Sequence, residues 1–188
     1  MLAVLTGPVR SGKSRLALRL AAASGRPVLL AVAGLADDAE MERRIERHRA
    51  ERSPEVRVLE IDDVWEWLDA VPADVCLVLD CLGTLVARMM GDVVSGDTEL
   101  ADVDAEERLS AAIDALVDRL VARGGDTVVV TNEVGWGVVP ATASGRLFRD
   151  VLGRANARLA DAADAGWLVV AGRAIHLTSR RKDVTWPR

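Results

Sequence analysis

The stretch Gly7-Pro8-Val9-Arg10-Ser11-Gly12-Lys13-Ser14 constrains this chain more than any other. It fits the template G-x-x-x-x-G-K-[ST] and lies between a short apolar run, Leu2–Thr6, and a segment of helical period, Lys13–Ala23. That is the strand, loop and helix context the template requires. Glycines let the main chain approach a ligand closely, so several N–H groups converge on phosphate oxygens while the helix adds its positive end. In this pattern Lys13 holds the β- and γ-phosphates, and the Ser14 hydroxyl serves a magnesium ion that bridges them.

Short β-rich runs alternate with helical segments along the rest of the chain. Strands are expected at Leu2–Thr6, Val28–Ala33, Val75–Asp80, Thr127–Thr131 and Trp167–Ala171, with an edge strand at Ala174–Leu177. Their nearly continuous apolar character is that of strands covered on both sides. Helices are expected at Lys13–Ala23, Asp38–Arg52, Val64–Ala70, Leu82–Met90, Ala105–Ala122 and Gly145–Ala163. Between the fourth and fifth of these, Gly91–Asp104 gathers glycine, serine and acidic residues without periodicity, which predicts an exposed loop or a solvated insertion. The expected fold is α/β, a three-layer arrangement whose mostly parallel sheet carries helices on both faces. A single domain spans residues 1–178, and a polar, basic tail follows at Ser179–Arg188.

At 188 residues with 50% hydrophobic side chains, one core suffices for the whole molecule. The net charge of -5 argues against a general nucleic-acid binder, which needs a cationic face to displace counterions. Cys76 and Cys81 flank an apolar run and read as thiols of a reducing compartment. Met1–Leu5 is too short for a signal segment, and no run of about 18 apolar residues occurs, so we expect a cytoplasmic protein without membrane insertion.

Two further residues stand out. Asp80 ends its strand, and in an open parallel sheet such ends face the ligand crevice, so it is the candidate magnesium-side carboxylate. An N-cap of the helix beginning near Leu82 is the alternative, and one residue serves both roles without conflict. On the helix expected at Asp38–Arg52, Met41, Arg44, Ile45, His48 and Arg52 share a face. Arg44 and Arg52 oppose a further positive charge on His48 and favour the neutral imidazole, whose lone pair can attack phosphorus. From spacing alone, a half-buried histidine on a salt-bridged surface helix is the simpler reading. His176, alternating with Ile175 and Leu177 in a late strand, reads as structural.

An ordered series of motifs carries a family resemblance. The phosphate loop is followed by Asp38-Ala39-Glu40-Met41 with Arg44, Ile45 and His48, by Asp80-Cys81-Leu82, and by Asn132-Glu133-Val134-Gly135-Trp136-Gly137-Val138-Val139-Pro140. Phe148-Arg149-Asp150, Gly153-Arg154-Ala155-Asn156 and Leu159–Asp164 complete it. Over nearly its full length the chain resembles the bifunctional adenosylcobinamide kinase/adenosylcobinamide-phosphate guanylyltransferase family.

The resemblance implies a P-loop enzyme of adenosylcobalamin assembly with RecA-like architecture, acting on adenosylcobinamide with magnesium and with ATP and GTP as substrates, in a homo-oligomer of the trimeric kind. It implies that the γ-phosphoryl of a nucleoside triphosphate passes to the aminopropanol hydroxyl of adenosylcobinamide. It further implies that His48 attacks the α-phosphorus of GTP and hands GMP to adenosylcobinamide phosphate, which makes His48 and Lys13 the expected catalytic residues.

Among the remaining positions, the resemblance assigns Val32, Ala33, Gly34, Arg49, Ala50, Glu51 and Arg52 to nucleotide contact, and Glu60 to the guanine edge, whose two N–H groups a carboxylate accepts. Ala33-Gly34 stands where the family commonly has a threonine, and Pro8 replaces the usual second glycine and removes one N–H. Asn132, Glu133, Gly135, Trp136 and Gly137 are expected to bind or gate the corrinoid. A glycine-rich turn whose tryptophan closes over the core is the alternative. Two rival functions remain open at this point: a P-loop small-molecule kinase in which His48 is inert, and a RecA-like ATPase module.

Overall fold

The computed structural model describes residues 1–34, 56–94 and 103–177. Within them the chain forms β1 (Leu2–Thr6), α1 (Lys13–Ala22), β2 (Val28–Val32), β3 (Arg57–Glu60), a 3-10 turn (Trp67–Ala70) and β4 (Cys76–Asp80). There follow α2 (Leu82–Val94), α3 (Val103–Ala122), β5 (Thr127–Val130), α4 (Ala143–Ala162), β6 (Ala165–Val170) and β7 (Arg173–Leu177). One seven-stranded sheet results, in the order β3-β2-β4-β5-β1-β6-β7. Every pairing is parallel except that of β6 with β7, which are joined by the two-residue turn Ala171-Gly172. Both turn residues have positive φ, 49° and 76°, the conformation that matches a tight turn to the right-handed twist of its strands.

The apolar runs of β1, β2, β4 and β5 are buried on both sides, as the sequence predicts, whereas the run expected at Trp167–Ala171 lies largely in β6, which is only half-buried with Val170 exposed, next to the exposed edge strand β7. Along β1, Leu2 and Val4 point to one layer while Ala3 and Leu5 point to the other. The first layer is the thicker one, formed by Leu82, Leu85 and Met89 of α2, Leu109 and Ile113 of α3, and Leu152 and Leu159 of α4. Ala17 and Ala21 of α1 pack on the second, where small side chains let the helix that follows the phosphate loop lie close to the sheet.

Several boundaries differ from expectation. The helix expected at Val64–Ala70 is reduced to the 3-10 turn, because Val64, Trp67 and Leu68 are buried as plugs beneath the sheet while Asp63 caps the N–H groups of Trp65 and Glu66. Of the stretch expected as a loop, Gly91–Asp104, both described ends are helical: α2 continues through Gly91 to Val94, carried by Met89 and Val93 packing on the core, and α3 begins at Val103, while residues 95–102 lie outside the described residues. β3 is a strand that apolar periodicity left unassigned, since it is an exposed edge with Arg57 and Val58 facing outward. The helix expected at Asp38–Arg52 and the tail Ser179–Arg188 lie outside the described residues.

Candidate active site at the carboxyl edge of the sheet

All the described candidate residues fall on one edge, where the parallel strands end. Gly7 to Ser14 connect the end of β1 to α1, and the geometry of that loop depends on its glycines. Gly7 has φ 149°, and a Cβ built there would lie 2.3 Å from the Val169 carbonyl oxygen, so no side chain fits. Gly12 has φ 96° and forms the left-handed N-cap of α1, whose first main-chain N–H groups have no partner within the helix. Arg10, with φ 59°, is a third residue of positive φ in the loop, and the Ser11 N–H closes a turn on the Pro8 carbonyl at 3.3 Å. The hairpin turn buttresses the loop from the side, with Gly172 N–H donating to the Ser11 carbonyl at 2.8 Å.

Lys13 is buried, 6% exposed, and its ammonium donates to the Gly7 and Pro8 carbonyls, each at 2.8 Å. A buried cation thus closes the loop into a ring that is basic at its centre. The Ser11 hydroxyl is also buried and meets no polar partner among the described residues. An orphaned buried donor costs about 1–3 kcal/mol, which a phosphate oxygen seated in the loop would relieve. Pro8, Val9 and Arg10 form the exposed rim.

Asp80 ends β4, two strands from β1 and so about 10 Å away along the sheet. It is half-buried and followed by a cis peptide bond to Cys81. The start of α2 is capped not by Asp80 but at Cys81, whose carbonyl accepts from Leu85 N–H and whose thiol contacts Thr84 Oγ1 at 3.2 Å. The Ser14 hydroxyl and the Asp80 carboxylate are hard oxygen donors of the kind magnesium takes alongside phosphate oxygens, so the residues present suit that ion.

Between these two strands, the segment after β5 is fixed from three directions. Thr131 Oγ1 donates to Asn156 Oδ1 at 2.6 Å, and Asn156 Nδ2 donates to the Asn132 carbonyl at 3.0 Å. The Asn132 side chain lies against Gly83, where an added Cβ would come within 3.3 Å of it. Glu133 N–H donates to the Gly7 carbonyl at 3.1 Å, and its carboxylate accepts from Thr6 Oγ1 at 3.2 Å. Asn156 and Gly83 escaped the sequence reading as site residues, because each acts through a contact distant in the chain. The adjoining Gly135-Trp136-Gly137 is at the surface, with Trp136 72% exposed, so this tryptophan does not close over the core.

Farther out, Val32 ends β2 and is followed by Ala33 and Gly34, and Glu60 ends β3 in register with Val32. The Ala33 side chain is fully buried, which leaves only its main chain for a ligand. The guanidinium of Arg88, on α2, donates to the carbonyls of Ala33, Ile61 and Asp62 and so ties the ends of β2 and β3 together. Glu60 is exposed. His48, Arg49, Ala50, Glu51 and Arg52 lie outside the described residues. His176 stands edge-on to Trp167, with ring centroids 5.6 Å apart, on the outer hairpin.

A parallel sheet with a glycine-shaped anion loop at the end of an inner strand defines a P-loop nucleotide-binding α/β protein. The fold agrees with that of a prototypical ATPase from the type III secretion system of pathogenic bacteria, at a TM-score of 0.53 and 12% identity over 89% of this chain and 50% of that one. The sequence profile of the family described as cobinamide kinase / cobinamide phosphate guanyltransferase matches residues 3–177, and the chain belongs to that family. It is 38% identical to the bifunctional adenosylcobalamin biosynthesis protein CobU of Escherichia coli K12, over 92% of this chain and 97% of that one. The same identity and coverage hold for the protein of that name from Salmonella typhimurium LT2. CobP of Pseudomonas aeruginosa PAO1, of like description, is 35% identical over 90% of this chain and 92% of its own.

Proposed function

We propose that this enzyme phosphorylates adenosylcobinamide with ATP or GTP, and then transfers GMP from GTP through a guanylylated His48 to adenosylcobinamide phosphate, giving adenosylcobinamide-GDP. The observation that carries the reading is the gathering of the phosphate loop, Asp80, Glu133 and Glu60 on one sheet edge, in a chain of this family.

In the phosphoryl step the loop amides and the Lys13 ammonium neutralise charge on the transferring group. Ser14 and Asp80 would hold magnesium, which supplies further neutralisation of phosphate charge when bound. In the guanylyl step the His48 imidazole displaces pyrophosphate from the α-phosphorus, and the phosphate of the corrinoid intermediate then displaces GMP from the imidazole. Glu60 stands four strands from β1, about 19 Å, which is of the order of an extended nucleoside triphosphate, so a base held there and phosphates held by the loop are compatible. Val32, Ala33, Gly34 and Arg49 to Arg52 complete the nucleotide's surroundings. The exposed Trp136, flanked by Gly135 and Gly137, offers a flat apolar surface to the corrin ring.

Among the described residues no helix is long and apolar enough to cross a membrane. We place the enzyme in the cytoplasm as a homo-oligomer, with no nucleic-acid partner. The test is incubation with magnesium and GTP labelled at the α-phosphate. An acid-labile covalent label is expected on the parent and not on His48→Ala. A label that persists in the variant would make another residue the nucleophile, and no label on the parent would leave phosphoryl transfer alone.

A further inference from the structure

Glu133 is bonded to the phosphate loop itself. Its main-chain N–H and the Lys13 ammonium both donate to the Gly7 carbonyl, at 3.1 and 2.8 Å, and its carboxylate accepts from Thr6, the last residue of β1, just before the loop. These contacts fix the Glu133 main chain on the carbonyl that also holds the Lys13 ammonium, and its half-buried carboxylate at the end of β1, where the loop begins. On its other side, the Asn156 bridge to Thr131 and Asn132 anchors the segment to α4, so the carboxylate is presented by a fixed turn. Asp80, by contrast, lies two strands away and suits the metal side of the nucleotide.

The two reactions of the site make different demands on such a group. An alcohol acceptor carries a proton that must leave as its oxygen bonds to phosphorus, which calls for a positioned base. A phosphate monoester acceptor is already largely dianionic near neutrality, with a second pKa of about 6, and needs none.

We propose that Glu133 is the catalytic base of the phosphoryl-transfer step, an inference that rests on the function proposed above. The Glu133 carboxylate takes the proton of the acceptor hydroxyl, and the hydroxyl oxygen forms its bond to the γ-phosphorus. The bond from that phosphorus to the β,γ-bridging oxygen breaks, and the nucleoside diphosphate departs with the electron pair.

Glu133→Gln keeps an oxygen for Thr6 and removes the base. Three quantities are measured on the full chain, parent and variant: phosphorylation of adenosylcobinamide by ATP and magnesium, guanylyl transfer from GTP to adenosylcobinamide phosphate supplied as such, and affinity for a fluorescent GTP analogue. Phosphorylation should fall about 100-fold or more, and its ratio to guanylyl transfer should drop about 30-fold or more, with nucleotide affinity held within about threefold. Phosphorylation within about threefold of the parent overturns the assignment. So does a loss of nucleotide affinity beyond about tenfold, which would make the carboxylate a part of the loop's support. A parent that phosphorylates no corrinoid alcohol at all contradicts the functional reading instead.

Discussion

Gly7 shows how much of the site is decided by single residues. Its missing side chain is what allows β6 to pass at contact distance, since a Cβ would meet the Val169 carbonyl oxygen at 2.3 Å. Gly7→Ala should therefore lower stability by about 1–3 kcal/mol in denaturant unfolding and weaken nucleotide binding at the same time, because the strain falls on the loop. Lys13→Ala tests the other half of the loop's chemistry. Phosphorylation should fall about 100-fold or more while the far-ultraviolet spectrum stays that of the parent. Both residues were legible from the chain, because the loop, its strand and its helix are contiguous and the template names their roles. Gly83 and Asn156 were not legible as site residues. Their function exists only once α2 and α4 are packed against the end of β5, and no local pattern announces a hydrogen bond across 24 residues.

At the level of elements, the ends of β2 and β3 are held by one side chain from α2. Arg88 donates to main-chain oxygens of Ala33, Ile61 and Asp62, groups that flank the stretch 35–55 carrying His48. Arg88→Met keeps the length of the side chain and leaves those carbonyls without their donor, which should cost about 1–3 kcal/mol in an unfolding titration. The variant should also label more weakly with α-labelled GTP than its phosphorylation rate alone would suggest. Element types were mostly readable, because strands buried on both faces are continuous apolar runs and their helices keep a clear period. Failures came where burial did not follow a period. The residues Val64, Trp67 and Leu68 are buried without forming a full helix, and β3 pairs through its backbone while exposing its side chains.

For the whole molecule, the sheet has two ends with separate duties. Opposite the site, Asp126 precedes β5 and accepts from the Met1 amine at 2.9 Å while pairing with Arg26 at 2.9 Å. The amine hydrogen bond, assisted by Arg26, holds the Asp126 carboxyl below its ordinary value. A carboxylate with a depressed folded-state pKa stabilises the fold above the unfolded value, about 3.9, and loses that contribution as pH falls through the folded value. The parent should therefore be more stable than Asp126→Asn at pH 6 to 7, with the difference shrinking below about pH 4. The alternation of strands and helices announced a parallel sheet, yet the order β3-β2-β4-β5-β1-β6-β7 was not contained in it, since strand neighbours are chosen by long-range packing. That order is what sets β5, and with it Glu133, between the phosphate loop and Asp80. A crystal structure with magnesium and a non-hydrolysable GTP analogue tests this arrangement most directly. Phosphates should be seated on the main-chain amides of residues 7–14, with the Lys13 ammonium turned from the Gly7 and Pro8 carbonyls onto them and the base directed towards Glu60. A nucleotide bound elsewhere, with that ammonium still on its two carbonyls, would contradict it.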